Sequence, residues 1–242
     1  MKALVTGATS GFGTAIARKL VARGHQVIIT GRRAERLQAL RDELGDACLP
    51  LAFDISDEAA TLAALKSLPA AWQDIDLLVN NAGLALGADP FPNCNLADWK
   101  QMIATNIGGL VTVTYAVLGG MVARNRGHII NLGSTAGTYQ YAGGNIYGAT
   151  KAFVKQFSLN LRADLAGTGI RVTDIEPGLC GGTEFSNVRF KGDDERAAGV
   201  YENIRFIRPE DIADTVLWLY RRPAHMNVNS IEIMPVAQSF NP

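Results

Sequence analysis

Cysteine is scarce in this chain: Cys48, Cys94 and Cys180 are the only three among 242 residues, and none forms a CxxC pair. Their odd number and wide spacing argue against a disulfide framework and against a zinc site, so a reducing compartment and no metal are expected. An excess of charge of one sign is also missing. Lys plus Arg and Asp plus Glu each number 23, which leaves no net positive field to draw in a nucleic acid. No uninterrupted apolar run approaches the ~20 residues that span a bilayer, so no membrane partner is expected. Met1 and Lys2 lead straight into the strand-like ALVT and a glycine-rich turn. That leaves no room for the apolar region of a signal peptide, and the expected location is cytoplasmic.

What the chain has is 48% hydrophobic and 19% charged residues, a composition that supports a packed core and a single domain, 1–242. Short apolar, β-branched runs at 3–6, 26–30, 49–53, 77–80, 128–132, 171–175 and 231–234 alternate with helical patterns at 14–23, 33–44, 96–125, 146–165 and 209–220. This alternation predicts an α/β architecture: a Rossmann-type, doubly wound, seven-stranded, mostly parallel sheet with helices on both faces. The segment 178–208 has no clear periodicity and follows a strand's carboxyl end, which marks it as a lid over a ligand.

The first strand runs into TGATSGFG and then a helix. Gly7, Gly11 and Gly13 allow the tight turn and close backbone approach that a pyrophosphate needs at a helix N-terminus, with Thr9, Ser10 and Phe12 in the same turn. The second strand ends in TGRR, where an NAD enzyme would place an acidic residue for the ribose hydroxyls. Arg32 and Arg33 suit a ribose 2′-phosphate instead, so NADP is the expected cofactor. The alternative is that both are solvated residues opening the next helix.

In NIYGATKAF, Tyr147 and Lys151 are four apart and share a helix face. A phenol ordinarily titrates near about 10; a neighbouring ammonium stabilises its ionised form and makes it a proton-transfer group. Ser134 follows directly on a strand's carboxyl end, where doubly wound sheets hold their ligands, and its hydroxyl can hold a reacting oxygen.

The wide GxxxGxG spacing, followed in order by FDIS, NNAG, GSTAG, YGATKAF and DIEPG, resembles the short-chain dehydrogenase/reductase family over the whole length. The resemblance implies that Asn106, Ser134, Tyr147 and Lys151 form the catalytic set. In it Tyr147 is the acid/base, Ser134 the oxygen anchor, Lys151 the ribose ligand and pKa modifier, and Asn106 the support of a water relay. It places Asp54 and Ile55 against the adenine, Asn81, Ala82 and Gly83 beside the ribose, and Pro177 and Gly178 beside the nicotinamide carboxamide. Thr183 would bind the amide or a phosphate, or simply cap a helix. The resemblance also implies a homotetramer, with 234–240 near a neighbour's site, and the apolar arcs of 96–125 and 146–165 agree with subunit contacts.

Within the family, NNAGLALG, YAGGN and GGTEFSNVRFKGDD are most similar to bacterial enzymes that oxidise small 3-hydroxy acids with NADP: serine, allo-threonine or 3-hydroxypropionate. A small anionic substrate needs a cation in its pocket. Arg189 is the first candidate and Lys191 the second; otherwise Arg189 pairs with Asp193 or Asp194 on a solvated loop. The same chemistry on a sulfonate, a sulfoacetaldehyde reductase, is the alternative enzyme. A non-catalytic NADP-sensing protein is the alternative of another class. The tail after Pro235 is shorter than the resemblance leads one to expect.

Overall fold

The computed structural model describes residues 1–202 and 204–239. Among them, β1 (Lys2–Val5), β2 (Gln26–Gly31), β3 (Cys48–Ala52), β4 (Leu77–Asn80), β5 (Gly127–Leu132), β6 (Ile170–Pro177) and β7 (Ser230–Ile233) form one sheet. Its order is β3-β2-β1-β4-β5-β6-β7. Every neighbouring pair is parallel, so the expected mostly parallel sheet is wholly parallel. The strands lie within two residues of the expected ones.

The helices are α1 (Gly11–Val21), α2 (Ala34–Leu44), α3 (Glu58–Lys66), α4 (Leu96–Ile103), α5 (Leu110–Ala123), α6 (Asn145–Asp164), α7 (Phe185–Arg189), α8 (Asp194–Gly199) and α9 (Pro209–Tyr220). Successive strand residues point to opposite faces. Ala3 and Val5 therefore enter a cluster with Ile16, Leu20 and Val216 of α1 and α9. Leu4 goes the other way, to Val113, Val117 and Met121 of α5. Burial on both faces explains why β5 reads GHIINL, with all six residues buried.

Three expectations change. The single helix expected at 96–125 is interrupted by a π-helical turn, Ala104–Gly109, which divides α4 from α5. Gly109 lies on Ile55 there: a Cβ would sit 2.7 Å from Ile55 Cγ1. The lid is not irregular throughout, because it contains the short helices α7 and α8. Finally, Leu96–Ala123 is long and apolar enough by composition to cross a membrane, its most apolar 18-residue stretch having a mean hydropathy of 1.5. Asn106 and the threonines and glycines between the apolar residues keep every unbroken apolar run short. In the fold α4 and α5 lie beside the sheet, burying Met102, Leu110, Val113, Val117 and Met121.

Candidate active site

The sheet changes direction between β1 and β4, and the carboxyl ends of the strands open there into a crevice, the usual ligand position in doubly wound folds. A cavity of about 630 Å³ occupies it. Its walls include Gly7, Thr9, Ser10, Gly11, Phe12, Arg32, Arg33, Asp54, Ile55, Asn81, Ala82 and Gly83 at one end. Ser134, Tyr147, Lys151, Pro177, Gly178, Thr183 and Arg189 complete it at the other. Of the residues singled out in the sequence, Gly13, Asn106 and Lys191 do not line it.

Gly13 supports the turn from behind. A Cβ there would lie 2.4 Å from the Gly7 carbonyl oxygen, so only glycine lets α1 begin so close to β1. Gly7, at φ +66°, is in the left-handed region that other residues avoid. Asn81 fastens the same turn, its amide donating to the carbonyls of Thr6 at 2.8 Å and Gly7 at 3.1 Å. The backbone N–H groups of Asn81 and Ala82 donate to Thr6 Oγ1.

At the end of β2 the two arginines differ. Arg32 is half-exposed and reaches Asp54 at 3.8 Å. Arg33 donates to Thr9 Oγ1 through Nε and Nη2, and through Nη1 to Glu184 Oε2 at 2.8 Å. Glu184, a lid residue that no local pattern singles out, also accepts from Arg36 Nη1 at 2.8 Å. The Arg36 and Arg33 guanidiniums hold its carboxyl below the usual range. Asp54 accepts from Ser56, whereas the cap of α3 is Asp57, accepting from Ala60 N–H at 2.9 Å. Thr183 Oγ1 accepts from Phe185 N–H at the start of α7, and its side chain lies against Gly11.

The buried stripe of α6 is Tyr147, Thr150, Lys151, Val154 and Ser158, a helical spacing that carries polar groups inward. Lys151 Nζ donates to the Leu132 carbonyl at 2.7 Å and stands 5.8 Å from the Tyr147 ring centroid. Burial lowers this ammonium to about 8, with Asp174 opposing. Burial also pushes the Tyr147 phenol well above its ordinary value, against the pull of Ser134 and the Arg189 charge. The phenol of the protein alone is thus raised, contrary to the lowering expected from Lys151, because burial outweighs the neighbouring charges. Ser134 Oγ accepts from Ala136 N–H at 3.1 Å.

Asn106, in the π-helical turn, is tied to Leu84 by both its amide atoms and donates to Thr150 Oγ1 at 3.0 Å. Thr150 in turn donates to the Tyr147 carbonyl at 2.8 Å. Asn106 therefore braces the Tyr147 helix from behind the cavity.

Arg189 ends α7 and faces inward. Its Nε and Nη2 donate to the carbonyls of Gly87 and Gly143, both at 3.1 Å. Nη1 has no hydrogen-bond partner among the described residues, and the guanidinium lies 5.4 Å from the Tyr141 ring centroid. The alternative partners are engaged elsewhere: Asp193 caps α8 and Asp194 accepts from Asn187. Lys191 pairs with Asp98 at 2.7 Å in a neighbouring cleft, away from the cavity. Sequence reasoning also missed Gln238, whose Oε1 accepts from Leu179 N–H at 2.7 Å. Met234, Gln238 and Ser239 of the C-terminal segment line this chain's own cavity; Phe240, the last member of the segment expected near a neighbour, lies outside the described residues.

Residues 1–194 match the family described as short chain dehydrogenase. The chain belongs to the short-chain dehydrogenase/reductase family. This short-chain dehydrogenase is 68% identical over 98% of its length, and 94% of the relative's, to a probable NADP-dependent dehydrogenase of Haemophilus influenzae. It is 63% identical to an NADP-dependent 3-hydroxy acid dehydrogenase of Salmonella typhi, over 99% of this chain and 97% of the other. Among solved structures it matches the closed form of serine dehydrogenase complexed with NADP+, with a TM-score of 0.99 and 60% identity. That match covers 100% of this chain and 98% of the other.

Proposed function

We propose that this enzyme is an NADP-dependent dehydrogenase of small 3-hydroxy acids, serine, allo-threonine or 3-hydroxypropionate among them. One observation carries the reading: Ser134, Tyr147 and Arg189 line the same cavity as the glycine turn and the two arginines. The cradle suits the cofactor, since Gly7 and Gly11 hold left-handed backbone where side chains would intrude, and Arg32 and Arg33 offer cations for a 2′-phosphate. Bound there, NADP supplies the hydride acceptor.

The chain's own residues supply orientation and proton transfer. Ser134 holds the substrate oxygen; Tyr147 takes the hydroxyl proton during oxidation, when the positive charge of a bound oxidised nicotinamide would favour its phenolate, and as the phenol returns it during reduction. Lys151, charged below its value of about 8, stabilises the phenolate and binds the ribose. Asp54 and Ile55 would hold the adenine, Asn81 to Gly83 the ribose, Pro177 and Gly178 the carboxamide, and Thr183 the carboxamide or a phosphate. Asn106 holds this frame and supports a water relay. Arg189 is the anion clamp, for which its unpartnered Nη1 speaks. Arg189→Ala should raise KM for 3-hydroxy acids roughly ten- to hundredfold, the size of one lost charged hydrogen bond. Neutral alcohols should be nearly unaffected; an equal rise for both would remove Arg189 from substrate binding.

The protein acts in the cytoplasm as a homotetramer. Val111, Tyr115 and Val122 of α5 and Leu159 of α6 leave an exposed apolar surface that a second copy would cover.

A further inference from the structure

Arg33 is held more firmly than a surface arginine at a strand end needs to be. Nε and Nη2 reach Thr9 Oγ1 at 3.2 and 2.8 Å, Nη2 also reaches Ser10 Oγ at 3.3 Å, and Nη1 reaches Glu184 at 2.8 Å. Thr9 and Ser10 are neutral acceptors; Glu184 is the one charged partner of Arg33 among the described residues. Arg36 does not line the cavity, and its contact is with the second oxygen of Glu184, so it fixes the carboxylate from outside. Arg32, by contrast, has only the loose 3.8 Å contact with Asp54 among the described residues. The carboxylate comes from the lid, 151 residues away in sequence, and its neighbour Thr183 rests on Gly11 of the phosphate turn.

We propose that Glu184 is a specificity-determining residue for the cofactor: it positions Arg33 for the 2′-phosphate and so widens the preference for NADP over NAD. The proposal rests on the NADP reading above and deepens it. A long side chain already ordered gives up less rotamer freedom when its ligand arrives. That gain falls only on a cofactor that uses Arg33. NAD presents a neutral hydroxyl at this position and draws nothing from an ordered guanidinium. Charge alternates outward from the site, with phosphate, Arg33, Glu184 and Arg36 in turn, so the carboxylate offsets the repulsion between the two cations.

The test is direct titration of NADPH and NADH binding by cofactor fluorescence. It compares wild type, Glu184→Gln, Arg33→Ala and the double variant. Glu184 is 41% exposed, so the amide variant folds normally. Glu184→Gln should weaken NADPH by about threefold, the scale of a partly exposed ion pair. NADH should be unchanged, and the substitution should have no further effect in the Arg33→Ala background. Equal weakening of both cofactors would reduce Glu184 to a lid fastener, and tighter NADPH binding would make it a competitor of the phosphate. An undiminished effect without Arg33 would show that it acts elsewhere. Each of these outcomes overturns the proposal. A wild type that binds NADH as tightly as NADPH would instead overturn the NADP reading itself.

Discussion

Asp174 is a buried carboxylate behind the active site, and neither of its oxygens has a hydrogen-bond partner among the described residues. Burial, helped by Glu176, pushes it up to about 7 although Lys151 pulls the other way. His128, on the neighbouring strand, is pushed down to about 3 by burial and by the Arg171 charge. Their effects on stability oppose each other. Between about 4 and 7 the folded state holds a proton on Asp174 that the unfolded chain lacks, so that group loses stability as pH rises. Between about 3 and 6.5 the unfolded chain holds a proton on His128 that the folded state lacks, so this group loses stability as pH falls. Near pH 5 the two slopes cancel. Asp174→Asn should leave the histidine slope alone, so that urea-unfolding stability falls by about 1.4 kcal/mol for each pH unit between 6.5 and 4.5, relative to wild type. Parallel pH profiles for the two proteins would contradict these protonation states. At this scale the sequence was legible where local spacing carries chemistry. Tyr147 and Lys151 share a face because they are four apart, and Ser134 sits at a strand end. Glu184 and Gln238 were illegible because their contacts join segments 151 and 59 residues apart and depend on where the lid lies.

Helices α4 and α5 show what period alone conveys at the scale of an element. Their continuous apolar pattern reads as one helix, yet the π-helical turn at Ala104–Gly109 brings Asn106 onto Leu84 and Gly109 onto Ile55. Such a turn follows from what the helix packs against, which the pattern does not record. The lid helices α7 and α8, five and six residues long, are too short to show a period at all. The outward face of α5 carries a separate expectation. Tyr115 is 77% exposed between Val111 and Val122, at helical spacing on one side. Tyr115→Glu places a charge in the centre of that face and should shift the sedimenting species from the proposed tetramer to a smaller assembly. A tetramer of unchanged stability would move the subunit contact elsewhere.

Across the whole molecule, the strand order β3-β2-β1-β4-β5-β6-β7 accounts for the gathering of distant motifs into one crevice. Each of the family motifs lies at a strand's carboxyl end or opens a helix, and a parallel sheet brings all those ends to one side. Alternation of strand and helix patterns makes this legible in the sequence. The lid is legible too, as an aperiodic segment after a strand's carboxyl end; its short helices and the part played by the C-terminal segment are not, since neither leaves a periodic pattern. The measurement that tests the account most directly is the initial rate of NADP reduction by purified wild type and Tyr147→Phe with L-serine, L-allo-threonine, 3-hydroxypropionate and isethionate. Wild type should turn over the three carboxylates well ahead of the sulfonate, and Tyr147→Phe should lose at least about a hundredfold in kcat. Faster turnover of isethionate, or a variant that keeps the wild-type rate, would contradict it.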